Sequence, residues 1–227
     1  MAGIDAEALR ARVLWRDADL LILDKPAGLA VHRAPGVRFS VEDFFEDLRF
    51  EAVGLPGLAH RLDRDTSGVL VLGRHAGALA ALNRLFADKK VEKTYWAVVE
   101  GQVGGEGRFD KPLRRVHRDG EWRIVAGKGG QAAETGYRCL GEGGSDRRSW
   151  LELRPRTGRT HQIRVHCADA KHPVVGDRLY GFPGRPGEQL HLHARAISFA
   201  WNGALIHAEA EAPLHMRPAL EDCGFRL

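Results

Sequence analysis

Residues 60–73 read HRLDRDTSGVLVLG, a run of charged and hydroxyl side chains that passes through Gly68 into Val69-Leu70-Val71-Leu72 and closes at Gly73. The apolar half is rich in Val and Leu and bounded by glycines, which predicts a buried strand. The polar half therefore sits at the mouth of that strand.

Working back towards the amino terminus, Val13-Leu14-Trp15 and Leu20-Leu21-Ile22-Leu23-Asp24 read as short strands separated by the turn-forming Asp17-Ala18-Asp19. Lys25-Pro26-Ala27-Gly28 stops the second of them. Downstream, Leu79, Leu82, Leu85 and Phe86 recur at three- and four-residue steps, which predicts a core-facing helix over 76–90 whose last turn carries Lys89 and Lys90. Tyr95–Val99 resumes strand character. Residues 101–149, dense in glycine and charge, read as hairpins and exposed loops. After a strand at Trp150–Leu153, Pro155 and Gly158 break the chain. Thr160 is placed to cap a helix over about 161–170 that Pro173 ends and that carries Arg164. Strands near 190–192, 197–201 and 204–208 complete a strand-rich pattern with two helices. With no internal repeat and no long linker, residues 1–227 are expected to form a single domain.

The 227 residues are 44% hydrophobic and 28% charged, with mean hydropathy −0.31. That composition excludes a disordered tail, a collagen-like rod and a helical membrane protein. The first fifteen residues mix acids with arginines and carry no apolar core for export, so a cytoplasmic protein is expected. Cys139, Cys167 and Cys223 are far apart and form no CxxC, which points to reduced thiols rather than a disulfide framework or zinc ribbon. The formal net charge is +4, but residues 1–60 carry −3. Between Arg147 and Arg195, 10 Lys/Arg face 4 Asp/Glu, a net of +6 that marks a candidate polyanion footprint or a solvated basic face.

Two constellations could carry chemistry. If their segment is extended, Asp63 and Asp65 point to one face about 6–7 Å apart, as a paired-carboxylate site requires. The alternative is a hydrogen-bonded turn over Asp65–Gly68 with Asp63 paired to an arginine. The second is RPRTGRTHQIRVH at 154–166, whose arginine forks suit phosphate or a carboxylate, or else form an exposed basic turn and helix. His161, His166, His172, His191, His193, His207 and His215 lack partners at ligand spacing, so no metal is implied. No glycine-rich phosphate loop follows a strand.

Taken together, HRLDRDTSG at 60–68, KTYWAVVEG at 93–101 and RPRTGRTHQIRVH at 154–166 resemble the motifs of the RluA-type pseudouridine synthases, in order and spacing. DLLILDKPAGLAVH at 19–32, HPVVGDRLYG at 172–181 and LHLHARAISF at 190–199 extend the resemblance over about residues 12–213. It implies an α+β catalytic domain: a curved, mainly antiparallel sheet flanked by helices, with a central RNA-binding cleft. The implied activity is isomerisation of selected uridines in ribosomal RNA, transfer RNA or both, without cofactor, metal, membrane or obligate protein partner.

In that resemblance Asp63 matches the essential aspartate, Arg164 the arginine that pairs with it, and Tyr95 the active-site tyrosine. Arg61 matches the residue that replaces the flipped base in the RNA stack. Arg159 would hold phosphate, and Leu62 and Ile163 would form an apolar floor. The additional amino-terminal RNA-binding domain of many relatives is not expected, so target choice would come from the catalytic domain. Two rivals stand beside this reading: a glycoside hydrolase using Asp63 and Asp65 as acid and base, and a non-catalytic RNA-binding protein in which Asp63 is structural.

Overall fold

The computed structural model describes residues 4–118, 120–143, 146–182 and 188–226. Its strands are β1 (Val13–Arg16), β2 (Leu20–Lys25), β3 (Gly57–Leu58), β4 (Ser67–Gly73), β5 (Glu92–Glu100), β6 (Glu106–Phe109), β7 (Leu113–Arg118), β8 (Glu121–Ala126), β9 (Thr135–Gly143), β10 (Arg148–Pro155), β11 (Leu192–Trp201) and β12 (Ala204–Glu209). The helices are α1 (Ala6–Arg10), α2 (Phe45–Leu48), α3 (Ala76–Ala87), α4 (Gln162–Asp169) and α5 (Arg217–Asp222). The class is α+β, with antiparallel ladders in place of a βαβ alternation. None of the described helices is long and apolar enough to cross a membrane. The chain divides into two compact units, Met1–Glu92 with Ala194–Glu211, and Lys93–His193 with Ala212–Leu227.

In the first unit the order is β1-β2-β4-β11, with β3 on β4 and β12 on β11. Every residue of β4 is buried, as its unbroken Val/Leu run requires. It pairs antiparallel with β2, Leu23 opposite Leu70 and Lys25 opposite Gly68. Ala78 and Leu82 of α3 enter the core made by Leu20, Ile22, Val69, Val71, Ile197 and Phe199, and Leu79, Leu85 and Phe86 flank it. Gly68 has φ +105°, and a Cβ there would lie 2.2 Å from the carbonyl oxygen of Ala194. Only glycine fits where the polar loop enters β4.

Helix α3 ends earlier than the apolar spacing suggests. Lys89 takes φ +57°, and the amides of Lys89 and Lys90 donate back to Phe86 O and Leu85 O. This reversal satisfies the last carbonyls, so both lysines lie beyond the helix and not in its last turn.

In the second unit the order is β5-β10-β9-β6, each adjacent pair antiparallel. Strands β7 and β8 form a separate hairpin. Helix α4 buries every residue from Gln162 to Cys167. Ile163 and Cys167 pack on Ala97, Val99, Leu151 and Leu153 of the sheet, while Val165 packs with Leu113, Ile124, Ala126 and Tyr180 against the hairpin. The carboxyl-terminal segment seats Met216, Ala219, Leu220 and Phe225 on Trp96 and Trp150.

Further differences from the sequence reading are local. Residues 190–201 hold one strand, β11, instead of two. Helices α1, α2 and α5 join the two expected ones. α1 is set by Asp5, whose carboxylate accepts from Ala8 N at 2.8 Å, an amino-terminal cap that the apolar pattern alone does not reveal.

Candidate active site

The loop before β4 is a turn and not an extended segment, since Thr66 N donates to Asp63 O at 3.1 Å. The same-face geometry for Asp63 and Asp65 is therefore not formed. The Asp65 carboxylate instead accepts from Nε of its neighbour Arg64 at 3.1 Å on an exposed edge. Leu62 is buried at 5% exposure, Arg61 is exposed, and Asp63 is half-buried.

Lys25 fixes this turn from beneath. Its side chain is fully buried, and Nζ donates to Pro26 O at 2.9 Å, Leu29 O at 2.8 Å and Arg64 O at 3.0 Å. Three acceptors match the three donors of an ammonium. Burial pulls its pKa down to about 7, against the opposing pull of the carboxylates of Asp65, Asp63 and Asp24. Gly28 N adds a fourth tie, to Arg64 O at 2.9 Å. At the loop's start, His60 Nε2 accepts from Val71 N at 3.0 Å and its ring stacks on Phe86. The residue read from sequence as a strand stop is thus the post on which the Asp63 turn rests.

In the second unit, Tyr95 lies on β5 opposite Leu153 of β10 and packs against the Ile163 core, half-buried. Arg164 lies on α4, buried at 7% exposure. Its Nε donates to Asp177 Oδ2 at 2.7 Å and its Nη2 to Oδ1 at 2.8 Å. This two-point fork takes two of the five N–H groups of the guanidinium. Leu179 N and Tyr180 N donate to Asp177 Oδ1 at 2.9 and 3.1 Å. Burial pushes the Asp177 carboxyl up, but Arg164's hydrogen bonds and charge together with the two amides outweigh it and leave the pKa below the ordinary value. The Arg164 guanidinium lies 5.3 Å from the centre of the Tyr180 ring.

The start of α4 also departs from expectation. Thr160 does not cap it. His161 occupies the cap position at φ +53°, ψ +21°, and the Gln162 side chain does the local wiring. Its Oε1 accepts from Thr157 Oγ1 at 2.7 Å and Arg159 N at 3.0 Å. Its Nε2 donates to Glu134 O and Thr135 Oγ1, each at 2.9 Å. Arg159 is exposed, with Nε donating to Ala132 O at 3.1 Å. His166 is buried between Thr135 Oγ1 and the Lys111 carbonyl, each 3.0 Å away, and burial lowers its pKa. Among the described residues no group of three or more His, Cys, Asp or Glu is arranged to hold a metal ion.

The first unit thus gathers Arg61, Leu62 and Asp63 on one loop, and the second gathers Arg159, Ile163 and Arg164 on one turn and helix, with Tyr95 on the sheet beside Ile163. Sequence reasoning missed Lys25, Gln162, Asp177 and Tyr180 as organisers. Asp177 and Tyr180 stand inside GDRLYG, where an acid two residues before a Leu-Tyr pair was the available signal.

A family model for RNA pseudouridylate synthases matches residues 19–169. The chain is 39% identical over 222 residues to a Zymomonas mobilis protein described as an uncharacterized RNA pseudouridine synthase, with 96% of this chain and 99% of that one covered. It is 37% identical over 216 residues to the ribosomal large subunit pseudouridine synthase C of Yersinia pestis, covering 91% and 67%. Among solved structures, human RNA Pseudouridylate Synthase Domain Containing 4 superposes with a TM-score of 0.80 at 25% identity, covering 98% of this chain and 96% of that one. Human RNA Pseudouridylate Synthase Domain Containing 1 gives 0.79 at 26%, covering 98% and 90%.

Proposed function

Because the chain belongs to the RluA-type branch of the RNA pseudouridylate synthase family, isomerases that act on RNA, we propose that it converts selected uridines of ribosomal RNA, transfer RNA or both to pseudouridine, with Asp63 starting the reaction. The family match over 19–169 carries the reading, because it takes in the Asp63 turn, the Tyr95 strand and the Arg164 helix. Since residues of both units fall within that match, we read the chain as one catalytic domain. The name of the Yersinia pestis relative favours large-subunit ribosomal RNA. We read the work as cytoplasmic.

The chemistry needs no redox change and no added atoms. The C1′–N1 bond breaks, the uracil turns while held, C5 bonds to C1′, the proton leaves C5 and a proton returns to N1. A single ionised carboxylate in a water-poor pocket can begin this sequence, and Asp63 is assigned that role. Arg164 is assigned as the cationic partner of that carboxylate. The Asp177 fork supports an ordered guanidinium at this position, since it holds Arg164 by two hydrogen bonds. Tyr95 stacks on the extruded uracil, with its hydroxyl near C5, and Leu62 and Ile163 form the apolar floor. Arg61, exposed beside Asp63, fills the gap left in the RNA stack, and Arg159 holds phosphate.

A second RNA-facing surface is supported by the β7–β8 hairpin. Trp122 is 59% exposed, the Arg115 guanidinium lies 4.1 Å from its ring centre, and His117 packs on the same ring. Aromatic faces amid arginines suit unpaired bases and their phosphates. The test is to map pseudouridines in total RNA from cells with and without the protein. Sites that vanish with it and return with the wild-type chain identify the reaction and target together. An unchanged map with the protein expressed rejects the function.

A further inference from the structure

We infer that Tyr180 is a positioning residue for Arg164, tying the guanidinium, the strained start of α4 and the β7–β8 hairpin to one side chain. The inference rests on the role proposed for Arg164 above.

Several contacts converge on Tyr180. Its backbone amide donates to the Asp177 oxygen that also receives Arg164 Nη2. Its ring lies under the Arg164 guanidinium. Its hydroxyl lies 2.8 Å from His161 Nδ1 and accepts from Ile124 N of β8 at 3.3 Å. The ring also packs with Leu113, Ala133 and Val165 in the small core beneath the hairpin.

Two physical consequences follow. A guanidinium has conformational freedom at every χ angle, and a carboxylate fork fixes its plane but still allows rocking about the fork axis. An aromatic face beneath it restrains that motion, because the cation is drawn to the ring's negative face. Separately, a histidine at φ +53° occupies a region that side chains other than glycine enter at a cost. Such a conformation persists only where its surroundings hold it, and Tyr180 meets the His161 ring through both its hydroxyl and its ring edge. His161 is the residue from which α4 starts, three positions before Arg164, so release of His161 loosens the helical turn that sets Arg164. Ile124 brings the hairpin into the same arrangement.

The test uses the full chain with an RNA substrate, in steady-state kinetics and by ¹⁵N NMR of the Arg164 Nε–H group. Tyr180→Leu removes ring and hydroxyl and is expected to lower kcat about 10-fold while KM changes less than about 3-fold, because the loss falls on the chemical step. Tyr180→Phe keeps the ring and is expected to recover most of that loss, with about a 3-fold deficit remaining from the freed His161. The Arg164 Nε–H signal should be slowly exchanging in the wild type and in Tyr180→Phe, and broadened in Tyr180→Leu. A folded Tyr180→Leu with kcat within about twofold of wild type overturns the inference, and so does an unbroadened Nε–H signal. Should the Leu variant not fold, a Phe variant with wild-type kcat overturns it equally. Wild-type protein that makes no pseudouridine on any RNA defeats the proposed function instead, and the Nε–H signal still decides the inference.

Discussion

The ammonium of Lys25 and the carbonyl oxygen of Arg64 lie 3.0 Å apart across 39 residues of chain, and with them the turn that presents Asp63 is pinned to the end of β2. Replacing Lys25 by Met keeps the length and apolar stem but removes the ammonium donor from the carbonyls of Pro26, Leu29 and Arg64. A loss of about 2–4 kcal/mol is expected, read as a lower midpoint in urea, with activity falling further than stability because the turn loses its support.

Asp63→Asn keeps the shape of the side chain and removes its charge. Pseudouridine formation should fall below detection by nucleoside chromatography, while RNA affinity in a filter-binding assay stays within about threefold, since phosphate contacts dominate affinity. An unaffected product yield would show that the carboxylate is structural.

Asp177→Asn breaks the charged half of the Arg164 fork. Removing one partner of a buried ion pair costs about 3–5 kcal/mol, and thermal unfolding should show it. The pH dependence has a definite sign. Asp177 titrates below its ordinary value in the folded chain, so its contribution is complete above the ordinary carboxylate range and disappears as pH falls through the folded value. The acid limb of the stability curve should therefore be shallower in the Asn variant than in the wild type.

His191 gives a limb of its own. It is 4% exposed, donates from Nδ1 to Gln189 O at 2.8 Å and meets His215 edge to face. Burial pulls its pKa down to about 4, with the nearby charge of His215 and Arg148 acting the same way and the Gln189 carbonyl and Glu188 opposing. The unfolded chain binds a proton near pH 6.5 that the folded chain refuses until about 4. Stability should thus decline by about 3 kcal/mol as pH falls across that window. His191→Gln should flatten the decline in equilibrium unfolding measured at successive pH values.

Trp122→Ala should leave folding intact, because the ring stands mostly in solvent, and should weaken RNA binding by about 1–3 kcal/mol if one base stacks on it. Fluorescence titration of a labelled substrate fragment at fixed salt measures this, and unchanged affinity would remove the hairpin from the RNA surface.

The sequence made legible what depends on local pattern. The alternation of apolar runs and breakers located β2, β4, β5, β10 and α3, because a buried run or a helical face leaves its period in the chain. Asp63, Tyr95 and Arg164 stood out because their neighbours match a family. What escaped depends on partners far away in sequence. Lys25 looks like a strand terminator until the carbonyls of Leu29 and Arg64 surround its nitrogen. Asp177 is one acid among thirty until the chain folds it under Arg164. The cap of α4 was misassigned because Thr160 has the right residue type, whereas Gln162, inside the helix, reaches back to do the work. The Asp63–Asp65 face failed for a related reason, since a tight turn after Asp63 replaces the extended segment that face needed.

Gly68 has a bearing on how the neighbouring motif is to be probed. An alanine walk through 60–68 would report an inactive protein at that last position, and it would do so by driving a methyl group into the Ala194 oxygen and prying adjacent strands apart. Loss of function there is a message about backbone room and carries no news of chemistry, so the boundary of the reactive loop has to be drawn from substitutions that spare the glycine.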